Sequence, residues 1–122
     1  MSKVGVLTMV GAGLAVAMPS GPAAASCSHS WSNKSSESVH TTGSSVNLRP
    51  GPHTSCNPPI TSMARNTNLY LHCYAFGTLV ENPAGGDDST VWWHARIYGT
   101  QTQGWVSAIY LAGGGALGDN AC

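Results

Sequence analysis

Charge is what this sequence has least of. Lys and Arg number 5, Asp and Glu number 5, and together they make up 8% of the chain. So thin and balanced a set cannot neutralise many phosphates, which excludes the usual electrostatic route to nucleic acid. It also provides no basic patch for an anionic membrane surface. Enzyme signatures are lacking too: there is no Gly-x-Ser-x-Gly, no His-Glu-x-x-His and no phosphate-binding loop. No Cys-x-x-Cys or Cys-x-x-His pair offers a chelating turn, and His29, His40, His53, His72 and His94 have no ligand spacing. Asp87-Asp88 lacks the alternating oxygen donors of a calcium loop and reads as a solvated turn. No catalysis, metal or cofactor is therefore expected.

Long apolar runs are confined to one place. Lys3 is followed by the uncharged stretch Val4 to Met18, then by the breakers Pro19 to Pro22 and by Ala23-Ala24-Ala25. Charge, apolar core, breaker and Ala-x-Ala in that order form a secretory signal peptide over residues 1–25, cleaved before Ser26. A membrane anchor would need roughly 18 to 20 apolar residues and no adjacent cleavage site. The exported part has roughly 100 residues, enough for one domain with a modest core. Without Lys3 it carries one basic residue fewer than acidic ones.

All four cysteines, Cys27, Cys56, Cys73 and Cys122, fall in that exported part. An even count in a short secreted chain predicts two disulfides. Three pairings are open; Cys27 with Cys56 and Cys73 with Cys122 is the one favoured. Loops of roughly 30 and 50 residues would then contribute about 3.5 to 4 kcal/mol each in the chain-entropy view. Residues 26–38 form a polar, Ser-rich arm whose one large apolar residue is Trp31, and residues 112–122 form a Gly-rich tail ending in Cys122. Both ends are expected to be stapled rather than packed. Asn33-Lys34-Ser35 matches a glycosylation sequon, a pattern common by chance.

Between the ends, short strands alternate with turn residues and no helical period stands out. Val46 and Leu48 alternate with Asn47 and Arg49 before Pro50-Gly51-Pro52 stops the strand. Leu69, Leu71 and Cys73 share one parity and Tyr70, His72 and Tyr74 the other, predicting a strand with an apolar inner and an aromatic outer face. Residues 82–89 are a loop, Val91 to Tyr98 a β-rich run, residues 99–103 a turn and Trp105-Val106 a last strand. Five or so short strands of this kind predict a small all-β barrel.

Two stretches carry a resemblance. Val46-Asn47-Leu48-Arg49-Pro50-Gly51-Pro52 resembles the opening signature of bacterial SH3 domains. Trp92-Trp93-His94-Ala95-Arg96, followed by Gly104-Trp105-Val106-Ser107-Ala108-Ile109-Tyr110-Leu111, is similar to the double-Trp and closing patterns shared by bacterial and eukaryotic members. The two bracket residues 39–111, which implies an SH3-like five-stranded barrel with disulfide-stapled extensions. Gly104 then stands where a Cβ would crowd the returning hairpin. Ala95 is small where a narrow barrel needs a small inward residue.

The resemblance also implies a binding module rather than an enzyme. In eukaryotic SH3 domains an aromatic groove holds proline-rich peptides, and Trp92 and Tyr110 match two of its residues. Ser107 replaces the groove proline, and the tyrosine-bearing N-terminal motif is absent. The bacterial branch, similar to cell-wall targeting modules, therefore sets the expected ligand: a cell-wall (peptidoglycan) peptide or glycan, or alternatively an extracellular protein. Exposed Trp92, Tyr110, Tyr70 and Tyr74 are the candidate contacts, since such rings pair stacking area with a polar tip. The competing reading buries Trp93 and Trp105 as packing and lets Tyr70 and Tyr74 merely cover the barrel. His72 next to Cys73 is no catalytic dyad, because strand neighbours point to opposite faces and an oxidised Cys73 has no thiolate. A monomer is expected, with no membrane contact after cleavage.

Two outcomes follow. Intact mass of the exported protein should correspond to a chain beginning at Ser26 with both disulfides closed. Reduction should lower its melting temperature by well over 10 °C, given about 4–8 °C per kcal/mol for a domain of this size. An unchanged melt after full reduction would contradict the stapling.

Overall fold

A computed structural model describes residues 26–122, so the expected signal segment lies outside the described residues. Among the described residues there are six strands: β1 (Ser38–His40), β2 (Val46–Leu48), β3 (Thr61–Met63), β4 (Asn68–Val80), β5 (Ser89–Ile97) and β6 (Gln103–Ser107). A short 3-10 turn, Ala108–Tyr110, follows β6, and a second, Ala112–Gly114, opens the tail. The strands form two antiparallel sheets, one ordered β1-β4-β5-β6 and one made of β2 and β3. The described residues are thus mostly β-sheet, with two disulfides, Cys27–Cys56 and Cys73–Cys122. Thr61-Ser62-Met63 was not foreseen as a strand. It is held by pairing with Val46 to Leu48 rather than by apolar alternation of its own.

The sheets meet where Arg49 and Trp105 exchange backbone hydrogen bonds, Arg49 N to Trp105 O at 2.8 Å and Trp105 N to Arg49 O at 2.7 Å. The expected close approach at Gly104 is found here: a Cβ would lie 2.7 Å from the Arg49 carbonyl oxygen and 2.6 Å from Ile60 Cδ1. Between the sheets lies the main core of Leu48, Leu69, Leu71, Trp93, Ala95 and Val106, all fully buried. Each large side chain there contributes about 1.5–3 kcal/mol by leaving water.

β4 does not keep one parity. Leu71 lies opposite Ala95 but Cys73 lies opposite His94, a register shift that leaves His72 as the extra residue of a bulge. Beyond it Tyr74 faces Trp93 on the core side, while Cys73 and Ala75 share the other face with His94 and Trp92. The expected aromatic outer row of Tyr70, His72 and Tyr74 is therefore broken, with Tyr70 and Tyr74 on opposite faces. His72 and Cys73 are likewise on the same side, not opposite sides as strict alternation requires.

That outer face is itself covered. Ala75, Val80, Trp92 and Trp105 form a second buried cluster. The arm and the tail both pack as well as being stapled, contrary to the expectation. Along the free edge of β4, Leu71 N donates to Glu37 O (3.0 Å), Lys34 N to His72 O (2.8 Å), Tyr74 N to Asn120 O (2.9 Å) and Cys122 N to Tyr74 O (2.8 Å). β1, arm and tail thus shield in succession an edge that would otherwise recruit other chains. The Glu37 carboxylate ties arm to tail by accepting from Ala116 N at 2.9 Å.

At Gly77 the loop after β2 lies directly on β4. A Cβ there would run into the Pro52 carbonyl oxygen, which also accepts from Thr78 N at 3.3 Å. Gly77→Ala should therefore destabilise by at least about 2 kcal/mol through forced backbone movement. Gly85→Ala, with φ +86° but open space around it, should lose only about 1 kcal/mol. Urea midpoints of the two variants compare them, and equal losses would show that the Pro52 contact imposes nothing.

Candidate functional site

Tyr110 ends the 3-10 turn after β6 and packs against both hydrophobic clusters, which places it at their junction. The turn is set by Ser107, whose hydroxyl accepts from Ile109 N at 3.2 Å. The loop before β2 is tied to this turn, with Thr42 N donating to the Tyr110 backbone carbonyl at 2.9 Å. Between this loop, β5 and the turn lies a cleft of about 170 Å³. Trp92, Tyr110, Val46 and Val80 give it apolar walls, and Ser44, Asn47 and Arg49 give it polar ones. The structure thus brings Trp92 and Tyr110 together in one cleft.

Trp92 is not the exposed ring expected. It is 2% exposed, and its indole N–H is spent on Thr78 O at 2.9 Å. The loop on Gly77 and the second cluster close over it, so it forms a wall of the cleft and Tyr110 is the more accessible ring. Trp93 and Trp105 are buried as packing, in agreement with the competing reading. Arg49, which the sequence marks only as a member of the strand and of the opening SH3-like stretch, lines this cleft. Its Nη1 donates to Asn57 Oδ1 at 2.6 Å and to Cys56 O at 3.4 Å, both neutral acceptors.

Tyr70 and Tyr74 lie outside the cleft. Tyr70, half-buried, sits beneath the Arg96 guanidinium (4.9 Å) and 5.2 Å from Tyr98, at the other end of the sheet. Tyr74 packs on Trp93 (5.5 Å) and is bridged to the tail at Ala121. A larger open groove of about 420 Å³ runs between the 82–89 loop and the tail, past Asp87, Asp88, Ile109 and Leu117. Asp88 there accepts from Asn82 N at 3.0 Å, consistent with a turn residue.

A third feature was invisible in the sequence. Trp31 of the arm stacks on His94 (3.9 Å between centroids, 13° between planes) and on His72 (4.8 Å, 14°). Beneath it His72 Nδ1 and His94 Nδ1 are 2.9 Å apart. One ring donates and the other accepts, so the accepting imidazole is neutral and the two cannot both be protonated. Burial first, and then the neighbouring His72, push His94 down from 6.5 to about 4. Burial and then Arg96 lower His72. Among the described residues no group of three or more His, Cys, Asp or Glu side chains is placed to hold a metal. The only available signal was the recurrence of His on two paired strands, which names no partner.

Comparison with protein-family models, curated proteins and solved structures returns no match.

The unfolded chain binds protons at these histidines from about pH 6.5 downward, whereas the folded chain resists until about pH 4 at His94. Stability is thus full above pH 6.5 and falls as pH drops toward 4, by on the order of 2 kcal/mol. Melting temperatures from pH 7.5 to 3.5 should show this slope, and His94→Phe should flatten it. A wild-type curve flat across that window would mean that the pair is not buried neutral.

Proposed function

We propose that the chain is an exported SH3-like binding module that holds a cell-wall peptide or glycan in the Trp92–Tyr110 cleft. The observation that carries this is the cleft itself, where two rings matched to the SH3 groove meet beside polar side chains. The antiparallel sheets, their junction at Arg49 and Trp105 and the crowding at Gly104 support the SH3-like reading. Two disulfides suit an oxidising, extracellular setting, where such a polymer is met. Among the described residues no helix is long and apolar enough to cross a membrane.

A second reading, docking to an extracellular protein, draws on Phe76 and Leu79, large apolar side chains that are 66% and 55% exposed on β4. Co-purification of a defined partner that Phe76→Ser releases and Tyr110→Leu does not would favour it.

The cell-wall reading is tested by retention on purified, protein-free walls. Tyr110→Leu keeps bulk at the junction but removes the aromatic face, and should weaken retention up to about tenfold with the melt little changed. Trp92→Ala is the poorer probe, since emptying that site should cost about 3–5 kcal/mol of stability. Retention of wild type no better than on an inert polysaccharide would defeat the proposal.

A further inference from the structure

The cleft holds one full charge. Arg49 lines it, and none of the other lining residues is acidic. Both of its hydrogen bonds leave from Nη1 and end on neutral oxygens, so its charge is not cancelled there. A guanidinium has five N–H donors in a planar fork suited to two carboxylate oxygens, which leaves Nε and Nη2 for a ligand. Arg49 is also anchored by its position, with its backbone paired to Trp105 and its Nη1 fixed on Asn57. A fork held in this way loses little side-chain freedom on binding.

The remaining walls limit what such a carboxylate can be attached to. At about 170 Å³ the cleft is smaller than the ~300–1,000 Å³ of drug-sized sites. Val46 and Val80 offer apolar surface to short side chains, Tyr110 offers a flat face to a peptide plane, and Asn47 can both donate to and accept from a backbone amide.

We propose that Arg49 makes this cleft a site for the free carboxyl terminus of a peptide ending in one or two small residues. The proposal rests on the reading of the Trp92–Tyr110 cleft as the binding site and specifies what part of the ligand enters it. Arg49 pairs with the terminal carboxylate, and the last side chains lie on Val46 and Val80 with the preceding peptide plane against Tyr110. Internal peptide segments and uncharged glycans lack the group that Arg49 selects.

The test uses the folded protein and N-acetyl-dialanine, in L,L and D,D forms, each as free acid and as C-terminal amide, with binding followed by amide chemical shifts. At least one free acid should bind saturably, shifting Arg49, Asn47 and Tyr110, with its amide about tenfold or more weaker because the charge-assisted pair is lost. Arg49→Gln should abolish the difference between acid and amide, while Arg49→Lys should retain part of it. Acid and amide binding alike, or no saturable binding of either acid at millimolar concentration, overturns the proposal. The comparison is made within the wild-type protein, so it stands even if an Arg49 variant folds poorly.

A second arm separates this from the cell-wall reading. Protein-free walls are compared before and after conversion of their free carboxylates to methylamides. Loss of retention on amidation supports both ideas. Equal retention before and after overturns the role of Arg49 and leaves wall binding standing. No retention on either, with the free dipeptide acid still bound, removes the wall as ligand and keeps the carboxylate site.

Discussion

The register shift between Leu71 and Cys73 rotates the second half of β4 by one face, and much of the molecule is arranged around that rotation. Before the shift Leu69 and Leu71 fill the main core; after it Tyr74 takes the core side and Cys73 and Ala75 turn outward. One inserted residue therefore lets a single strand serve two cores. It also moves Cys73 to the side where the arm passes, beside the His72–His94 pair, with Ser32 N 3.5 Å from its sulfur. A regular strand would have paired His72 directly with His94 and put Cys73 opposite Trp93 on the core side, away from the arm.

Because both faces of the long sheet are buried, the small charged complement of the chain has a physical meaning. A sheet open to solvent on one side alternates apolar and polar residues, whereas one covered on both sides does not. Trp92, Trp93, His94 and Ala95 are buried in succession along β5. The cover is made by segments that would have no reason to be ordered by themselves: a Ser-rich arm, a Pro-Gly loop and a Gly-rich tail. Their backbone groups, rather than their side chains, find partners along the β4 edge, and the disulfides hold them in register.

These features decide how far the sequence could be read. Val46 to Leu48, the runs around Leu71 and Trp93 and the final Trp105-Val106 strand were legible, because their composition and flanking turns each point to extended structure without help from elsewhere. The favoured cysteine pairing is the one found. The bulge was not legible, since nothing in Leu-His-Cys distinguishes a regular strand from an irregular one, and every facing assigned beyond Leu71 inherited that error. Trp92 and Tyr110 were placed together by resemblance, but the burial of Trp92 depends on the Pro52 loop reaching Gly77, a contact some 25 residues apart in the chain. Arg49 was passed over because a strand arginine carries no mark of what it faces. Trp31 is in the sequence only the one large apolar residue of a stapled arm, and its histidine partners are brought beneath it by the fold.

The two disulfides enclose separate stretches of chain, 27–56 and 73–122, which neither nest nor interleave. The first ring can therefore close whether or not the second half of the polypeptide has folded. Neither closure has to wait for, or pass through, the other. The cysteines are joined in chain order, first to second and third to fourth, so oxidation that follows that order gives the native pairing directly.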